Sequence, residues 1–237
     1  NAILDSNPAY NLTHGLTEFV AGHPREALWS YRWAGLDENG NPLTYDADGN
    51  KTDVAVAESV ECNGTYRPKY SGSFSTDFKY KSLTLMFSFI YNFGHVFRVA
   101  YPTMDAGSAA KGSTANLSAF VGKRWMKPGD EAITDIPSIR TKDYRSNDRA
   151  SLAVYSSNSV RKGDFIRLRE ITLNYELPKQ LVKKSPFARV SLTAQANTVW
   201  MWTKNKEGFD PEVVEPVRGT LGLSEAPSFT FGLKVEF

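Results

Sequence analysis

The sequence predicts an all-β protein, an antiparallel transmembrane β-barrel segment with long extracellular loops. Three observations support this prediction: strict alternation of apolar and polar residues in five segments, connections that alternate between short and long, and aromatic residues at the ends of the segments. Successive side chains of a strand point to opposite faces of its sheet. Each alternating segment therefore has one apolar face and one polar face.

The five predicted strands follow one another along the second two-thirds of the chain. They are Ser73–Tyr80, Ser82–Phe93, Asp164–Leu177, Arg189–Trp202 and Ser228–Phe237. The third changes parity, because Ile166 and Leu168 are even whereas Ile171 and Leu173 are odd. We therefore expect a β-bulge or a change of face near Arg169–Glu170.

The connections between these strands alternate in length. A tight turn at Lys81 is followed by the long segment His95–Gly163, then by the short link Pro178–Phe187 and the long segment Lys204–Pro227. Outer-membrane barrels have short periplasmic turns and long outside loops. The alternation favours a barrel, since loops this long and this regular are unusual in a soluble sandwich.

Aromatic residues support the same orientation. One group lies beside the long loops and the other beside the short turns, as expected of two interfacial girdles. The predicted apolar faces carry no charged residue, which agrees with a cost of roughly 2–4 kcal/mol for Lys or Arg at the midplane of the lipid face. The alternative is a soluble β-sandwich with ordinary core aromatics. The two groups are Tyr91, Phe93, Trp200, Trp202 and Phe229, and Phe78, Tyr80, Tyr175 and Phe237.

Composition excludes several classes of protein. Lys+Arg number 28 against Asp+Glu 26, a balance that argues against a nucleic-acid binder. Cys62 is the one cysteine, so an internal disulfide framework is excluded. No run of 18 apolar residues predicts a transmembrane helix. Because Asn1 is not an initiator Met, we expect a processed product or a fragment.

Motifs for catalysis or metal binding are weak. Spaced oxygens at Asp46, Asp48, Asn50 and Asp53 suit calcium, but the segment lacks the distal Glu of an EF-hand, and Asp48-Gly49 favours a hairpin turn. The three histidines have no paired-ligand spacing, and no nucleophile elbow or phosphate-binding loop is present. We predict no enzyme activity, no catalytic residue, no metal and no cofactor.

Several motifs, in order, give the chain a family resemblance. The segments RPKYSGSFSTDFKYKSLTLMFSFIYNFG, KGDFIRLREITLNYELPKQL, GFDPEV and SFTFGLKVEF resemble the C-terminal barrel of SusC-like (RagA-type) TonB-dependent outer-membrane transporters, and EALWSYRWAGLDENGNPLTYDADGN resembles the segment before it. The resemblance implies about the last five strands of a 22-stranded barrel. Residues 1–70 would be a mostly extracellular loop region with a small hairpin. Residues 71–237 would hold the C-terminal strands, with a long extracellular loop at 95–163.

The resemblance also implies a function and partners. Such transporters, in the bacterial outer membrane, import large nutrients, here oligosaccharides or other glycans, or a peptide substrate. A SusD-like lipoprotein lid covers the outside, and the TonB complex supplies energy through a part that this sequence lacks. Alternatives are a passive or adhesive outer-membrane barrel, and a soluble sugar-binding β-sandwich. Five strands cannot close a barrel, so we expect the C-terminal piece of a larger transporter.

Two sets of residues are candidate functional sites. Trp125, Tyr101 and Tyr144, with Arg124, lie in the long loop and are predicted to contact substrate or lid, because rings stack on sugars and charged groups bond hydroxyls. The alternative is that they only anchor the loop. The second set, implied by the resemblance, is a signal for the barrel-assembly machinery: Phe229, Phe231 and Phe237.

Overall fold

A computed structural model describes residues 22–100, 119–139, 147–183 and 185–237. Contacts divide the chain into two units. The loop unit draws its described residues from Asn1–Arg67, Val96–Lys162 and Val214–Gly222, and the sheet unit draws them from Pro68–His95, Gly163–Val213 and Leu223–Phe237. The predicted division of the chain at residue 70 stays a prediction.

Twelve strands are present in the described part of the chain, together with two α-helices. The helices are α1 (Asn147–Tyr155) and α2 (Lys179–Val182). No helix among these residues is long and apolar enough to span a membrane. In chain order the strands are β1 (Ala27–Tyr31), β2 (Gly35–Leu36), β3 (Pro42–Tyr45), β4 (Lys51–Thr52), β5 (Val60–Thr65), β6 (Tyr70–Tyr80), β7 (Leu83–Phe93), β8 (Val96–Arg98), β9 (Val160–Lys162), β10 (Phe165–Glu176), β11 (Arg189–Thr203) and β12 (Ser228–Glu236).

The sheet unit is a five-stranded antiparallel sheet in the order β6-β7-β10-β11-β12. All five predicted strands are confirmed, with ends that differ by a few residues. The tight turn between β6 and β7 contains Lys81, whose φ is +53°. Glu176 N donates to Ser82 O at 2.8 Å, so this turn and the link after β10 lie at the same end of the sheet.

The register places the apolar residues of all five strands on one face. Phe78 lies opposite Leu85, Leu85 opposite Leu173, Leu173 opposite Ala194, and Ala194 opposite Phe231. Cross-strand neighbours of this kind are the unit of sheet stabilisation. Phe231 is 81% exposed and Phe78 62% exposed, so the described residues leave this face uncovered. A sandwich would bury it.

Two irregularities keep the apolar face continuous. The predicted bulge is confirmed, because the pairing of β10 with β7 shifts between Leu168 and Glu170. The pairing of β10 with β11 shifts at the same place, where Thr198 has a φ of +55°. Between the flanking pairs, β10 thus has one more residue than β7, and β11 has one more than β10, and Leu168 still lies opposite Trp200. The sequence did not predict the irregularity in β11.

The loop unit contains short strands and helices. β1 pairs with β5, β3 lies between β2 and β4, and β8 pairs with β9. Tyr31 of β1 and Leu152 of α1 are almost fully buried against each other, and Trp29 and Val60 pack around them. Segments distant in sequence therefore share one small core.

The hairpin-turn interpretation of the acidic segment is confirmed. β3 and β4 are joined by a loop in which Asp46 Oδ1 accepts from Asn50 N at 2.7 Å and Gly49 has a φ of +84°. The backbone donor of Asn50 holds the pKa of Asp46 below its usual value. Asp37 and Asn41 repeat this arrangement between β2 and β3. Within the described ranges no group of three His, Cys, Asp or Glu residues could hold a metal ion.

Candidate functional site

The polar face of the five-stranded sheet carries hydroxyls, amides and charges that bond one another. Thr193 Oγ1 donates to Asn174 Oδ1 at 2.6 Å, and Ser75 Oγ to Ser88 Oγ at 3.1 Å. Arg189 pairs with Glu176 at 3.2 Å near the short-turn end. In a barrel this face lines the lumen, where polar side chains contact water or a passing solute.

An arginine at the long-loop end of this face holds the segment after β11. Arg167 is 4% exposed, and its Nη2 donates to Asp210 Oδ1 at 2.6 Å. Its Nε lies 2.7 Å from Glu212 Oε2. Both carboxylates belong to the GFDPEV motif, and a buried charge requires partners of this kind. Arg167 therefore fixes the start of the long loop on the polar face.

The ends of the two long connections meet beside β10. Asp164 Oδ1 accepts from Gly94 N at 2.7 Å, and its Oδ2 lies 3.2 Å from Lys204 Nζ. His95 is buried over Gly163, where an added Cβ would lie 2.3 Å from His95 Nε2. Burial lowers the pKa of His95, and the Asp164 charge opposes this only in part. Burial therefore favours the neutral imidazole of His95.

Arg98 of β8 is the centre of the loop unit. It is fully buried, and its guanidinium donates to Trp29 O at 2.6 Å and Val217 O at 2.9 Å. The guanidinium also donates to Val154 O, Ser159 Oγ and Ser30 Oγ. Its central carbon, Cζ, lies 5.1 Å from the ring centre of Tyr155. Burial lowers the pKa of Arg98 to about 10. Arg98 thus stays charged and joins four sequence-distant segments.

The predicted contact residue Trp125 lies half-buried in the loop unit. Its Nε1 donates to Glu131 Oε2 at 2.9 Å, which lowers the pKa of Glu131. Its ring covers Gly40, where an added Cβ would lie 2.6 Å from Trp125 Cδ2. Ser138 N then donates to Gly40 O at 2.9 Å. Trp125 therefore holds its own segment against the β2–β3 hairpin.

The other predicted contact residues are not brought together with Trp125 by any described contact. Arg124 is half-buried and its Nη1 donates to Val121 O at 2.6 Å, a bond within its own turn. Tyr101 and Tyr144 lie outside the described residues. A role in contacting substrate or lid stays a prediction for all four.

The three phenylalanines of the predicted assembly signal lie on or next to the apolar face. Phe229 lies opposite Ala196 and Phe231 opposite Ala194. Phe237 follows β12, and its ring meets Phe187 edge-on at a centroid distance of 5.4 Å. All three are exposed, as hydrocarbon-facing residues would be.

Sequence comparisons find relatives of one kind. No family model matches the chain. The chain is 33% identical over 84% of its length to TonB-dependent receptor P39 of Formosa agariphila, and 23% identical over 99% to TonB-dependent receptor P3 of the same organism. It spans 19% and 24% of these two relatives, so it corresponds to about a fifth to a quarter of their length.

Structure comparisons agree on the fold. The chain superimposes on the RagAB peptide importer in its open-open state with a TM-score of 0.62, at 22% identity, over 88% of this chain and 22% of that one. The closed-closed state gives 0.63, at 23% identity and 88% and 23% coverage. At this identity the likeness is one of fold.

The one-sided antiparallel sheet and these comparisons define an outer-membrane β-barrel protein. Within that class, the chain is similar to a portion of TonB-dependent receptors. The soluble β-sandwich considered from the sequence is therefore wrong. The expectation that the chain is not an enzyme agrees with its relatives, which are receptors and importers.

Sequence reasoning missed the buried arginines Arg98 and Arg167. Arg98 interrupts the apolar run VFRVA, and a charge within such a run signals a buried and fully bonded group. Arg167 has a comparable signal, because it stands between the apolar residues Ile166 and Leu168 in the part of β10 before the bulge. Neither signal identifies the partners.

Proposed function

We propose that the chain is part of an active outer-membrane importer that takes up large nutrients with energy from the TonB complex. The proposal is carried by the five-stranded sheet, whose one face is apolar and exposed and whose other face is polar and bonded. It is supported by relatives that are named TonB-dependent receptors.

The proposed substrate is an oligosaccharide or another glycan. The polar face supports this substrate class, since its amides, hydroxyls and charges suit a hydroxyl-rich solute. A peptide is the second candidate, favoured by the likeness to an importer of peptides. Trp125 and Arg124 are proposed to contact the substrate or a SusD-like lipoprotein lid.

Uptake by intact cells tests this function. Cells that carry the full-length transporter are expected to accumulate labelled oligosaccharides, and a protonophore or loss of TonB is expected to abolish accumulation. Labelled peptides of similar size, offered in parallel, decide the substrate class. Accumulation that persists without TonB would instead favour the passive barrel.

Partnership with a lid is tested separately. Affinity purification of the tagged transporter from outer membranes is expected to recover a surface lipoprotein in equal amount. Purification of the transporter alone, under detergent conditions that preserve other barrel complexes, would contradict the lid.

We also propose that β12 and Phe237 are read during assembly by the barrel-assembly machinery. The exposed phenylalanines of β12 and its free edge in the described sheet support this role. Deletion of Phe237 is expected to lower the surface abundance of the transporter while uptake per assembled molecule stays unchanged. Normal abundance after the deletion would contradict it.

A further inference from the structure

The link between β10 and β11 forms an open cavity with a basic rim. Its volume is about 550 Å³, and it is lined by Lys179, Gln180, Val182, Lys183, Phe187 and Ala188. It lies at the short-turn end of the sheet, the end that also contains Lys81. The transport function described above does not use this cavity.

The rim carries positive charge without a carboxylate. Lys179 and Lys183 are four residues apart across α2, so they lie on the same side of the helical turn. Both are exposed, and none of the described residues that line the cavity is acidic. Among the described residues Glu176 is the acidic group nearest in sequence, and it pairs with Arg189 at 3.2 Å. The rim is therefore suited to an anion.

The rest of the cavity is apolar and connects to the lipid face. Phe187 lines it, and the ring of Phe187 contacts Phe237, which has the parity of the lipid-facing Phe231. Leu181 projects from the same turn and is 67% exposed. Val182 is buried and fixes the turn, whose backbone is closed by a bond from Lys183 N to Lys179 O at 2.9 Å.

We propose that this cavity binds the head group of an anionic phospholipid from the periplasmic leaflet. A lysine pair beside exposed aromatic and aliphatic groups matches a phosphate joined to acyl chains, and basic residues next to a membrane attract anionic lipid. The inference rests on the proposed function in one respect, namely that the cavity faces the periplasmic leaflet. The lipid would anchor the short link at the bilayer interface.

Native mass spectrometry of the purified full-length transporter tests the site. The detergent-solubilised protein is mixed with dioleoyl-phosphatidylglycerol or with the phosphatidylcholine of the same chains. The wild-type protein is expected to retain phosphatidylglycerol in preference to phosphatidylcholine. The double variant Lys179→Gln, Lys183→Gln is expected to lower its affinity about tenfold or more. Lys81→Gln is the matched control, a lysine at the same sheet end but outside the cavity, and is expected to change retention little.

Two further measurements distinguish a bound phospholipid from a bound free phosphate compound. Leu181→Asn is expected to weaken retention with both lysines in place, and millimolar glycerophosphate is expected not to displace the lipid. Equal retention of the two lipids, an equal loss in Lys81→Gln, or displacement by glycerophosphate would overturn the proposal. Resistance of the folded barrel to unfolding in cold SDS checks that each variant is folded. Because no substrate, lid or TonB is present, the result is independent of the uptake assay.

Discussion

Arg98 shows at the scale of a single residue how a loop unit can be ordered with a small apolar core. Its donors satisfy carbonyls and hydroxyls from three segments, and the described partners include no carboxylate. An arginine has five donors in a rigid fork, which lets one side chain join several backbone groups. The cost of burying its charge is thus offset by dipoles rather than by an ion pair.

Replacement of Arg98 by methionine is expected to loosen the loop unit. The carbonyl of Trp29 would lose its donor, at a cost of roughly 1–3 kcal/mol for each buried group left unpaired. Limited proteolysis of the purified transporter measures this as faster cleavage within 22–100 and 147–162. Arg218→Met, at an exposed arginine of the same unit, is the control. Equal cleavage rates in the two variants would contradict the role of Arg98.

At the scale of the element, β12 shows what two-residue periodicity means in a membrane. Phe231 lies on the apolar face and Gly232 on the polar face. An added Cβ at Gly232 would meet Thr193 Cβ at 3.7 Å, an ordinary contact, so the position has room for a side chain.

Lysine at these two adjacent positions is expected to have very different effects. Phe231→Lys would place a charge in hydrocarbon at a cost of roughly 2–4 kcal/mol near the midplane, whereas Gly232→Lys would place it in the lumen at much lower cost. Surface abundance of the full-length transporter is the measurement. If both variants were equally depleted, the assignment of faces to β12 would be wrong.

The loop that follows β11 depends on one buried ion pair. Asp210 is 6% exposed beside Arg167, whereas Glu212 is partly exposed. Asp210→Asn is expected to destabilise the loop by about 1.5–3 kcal/mol, the range for hydrogen bonds to charged groups. Glu212→Gln is expected to cost under about 1 kcal/mol, because water screens that pair.

Trypsin cleavage after Lys204 or Lys206 reports on this loop. Asp210→Asn is expected to speed cleavage clearly and Glu212→Gln only slightly. The reverse order would show that the exposed pair, not the buried one, holds the loop.

At the scale of the whole molecule, the five strands of the described sheet are too few to close a barrel. This sheet ends at β6 on one side and β12 on the other, and its apolar face is exposed. Unpaired edges and large apolar surfaces lead to association in water. Expressed alone without detergent, the chain is expected to aggregate, as size-exclusion chromatography would show. A monodisperse soluble monomer would contradict this prediction.

The sequence by itself determined the five strands, the side of each that faces lipid, and the bulge at Arg169. Alternation has a period of two, and a break in parity such as that between Leu168 and Ile171 is visible without any partner strand. The resemblance to TonB-dependent transporters was also visible in the sequence, because most of the motifs that carry it lie in order within these strands and the loop after β11. These features are all local in sequence.

Tertiary structure alone decided the partners of the buried polar groups. Arg98 bonds Trp29 across 69 residues, and Arg167 bonds Asp210 across 43. The irregularity at Thr198 exists only in relation to the register of β10. The contact between the Trp125 ring and Gly40 could not be predicted from the composition of the chain. The periodicity of a sequence shows which face of a strand each residue occupies. It does not show which distant donor and acceptor will pair, because hydrogen bonds form only where the folded chain brings the two atoms to about 3 Å.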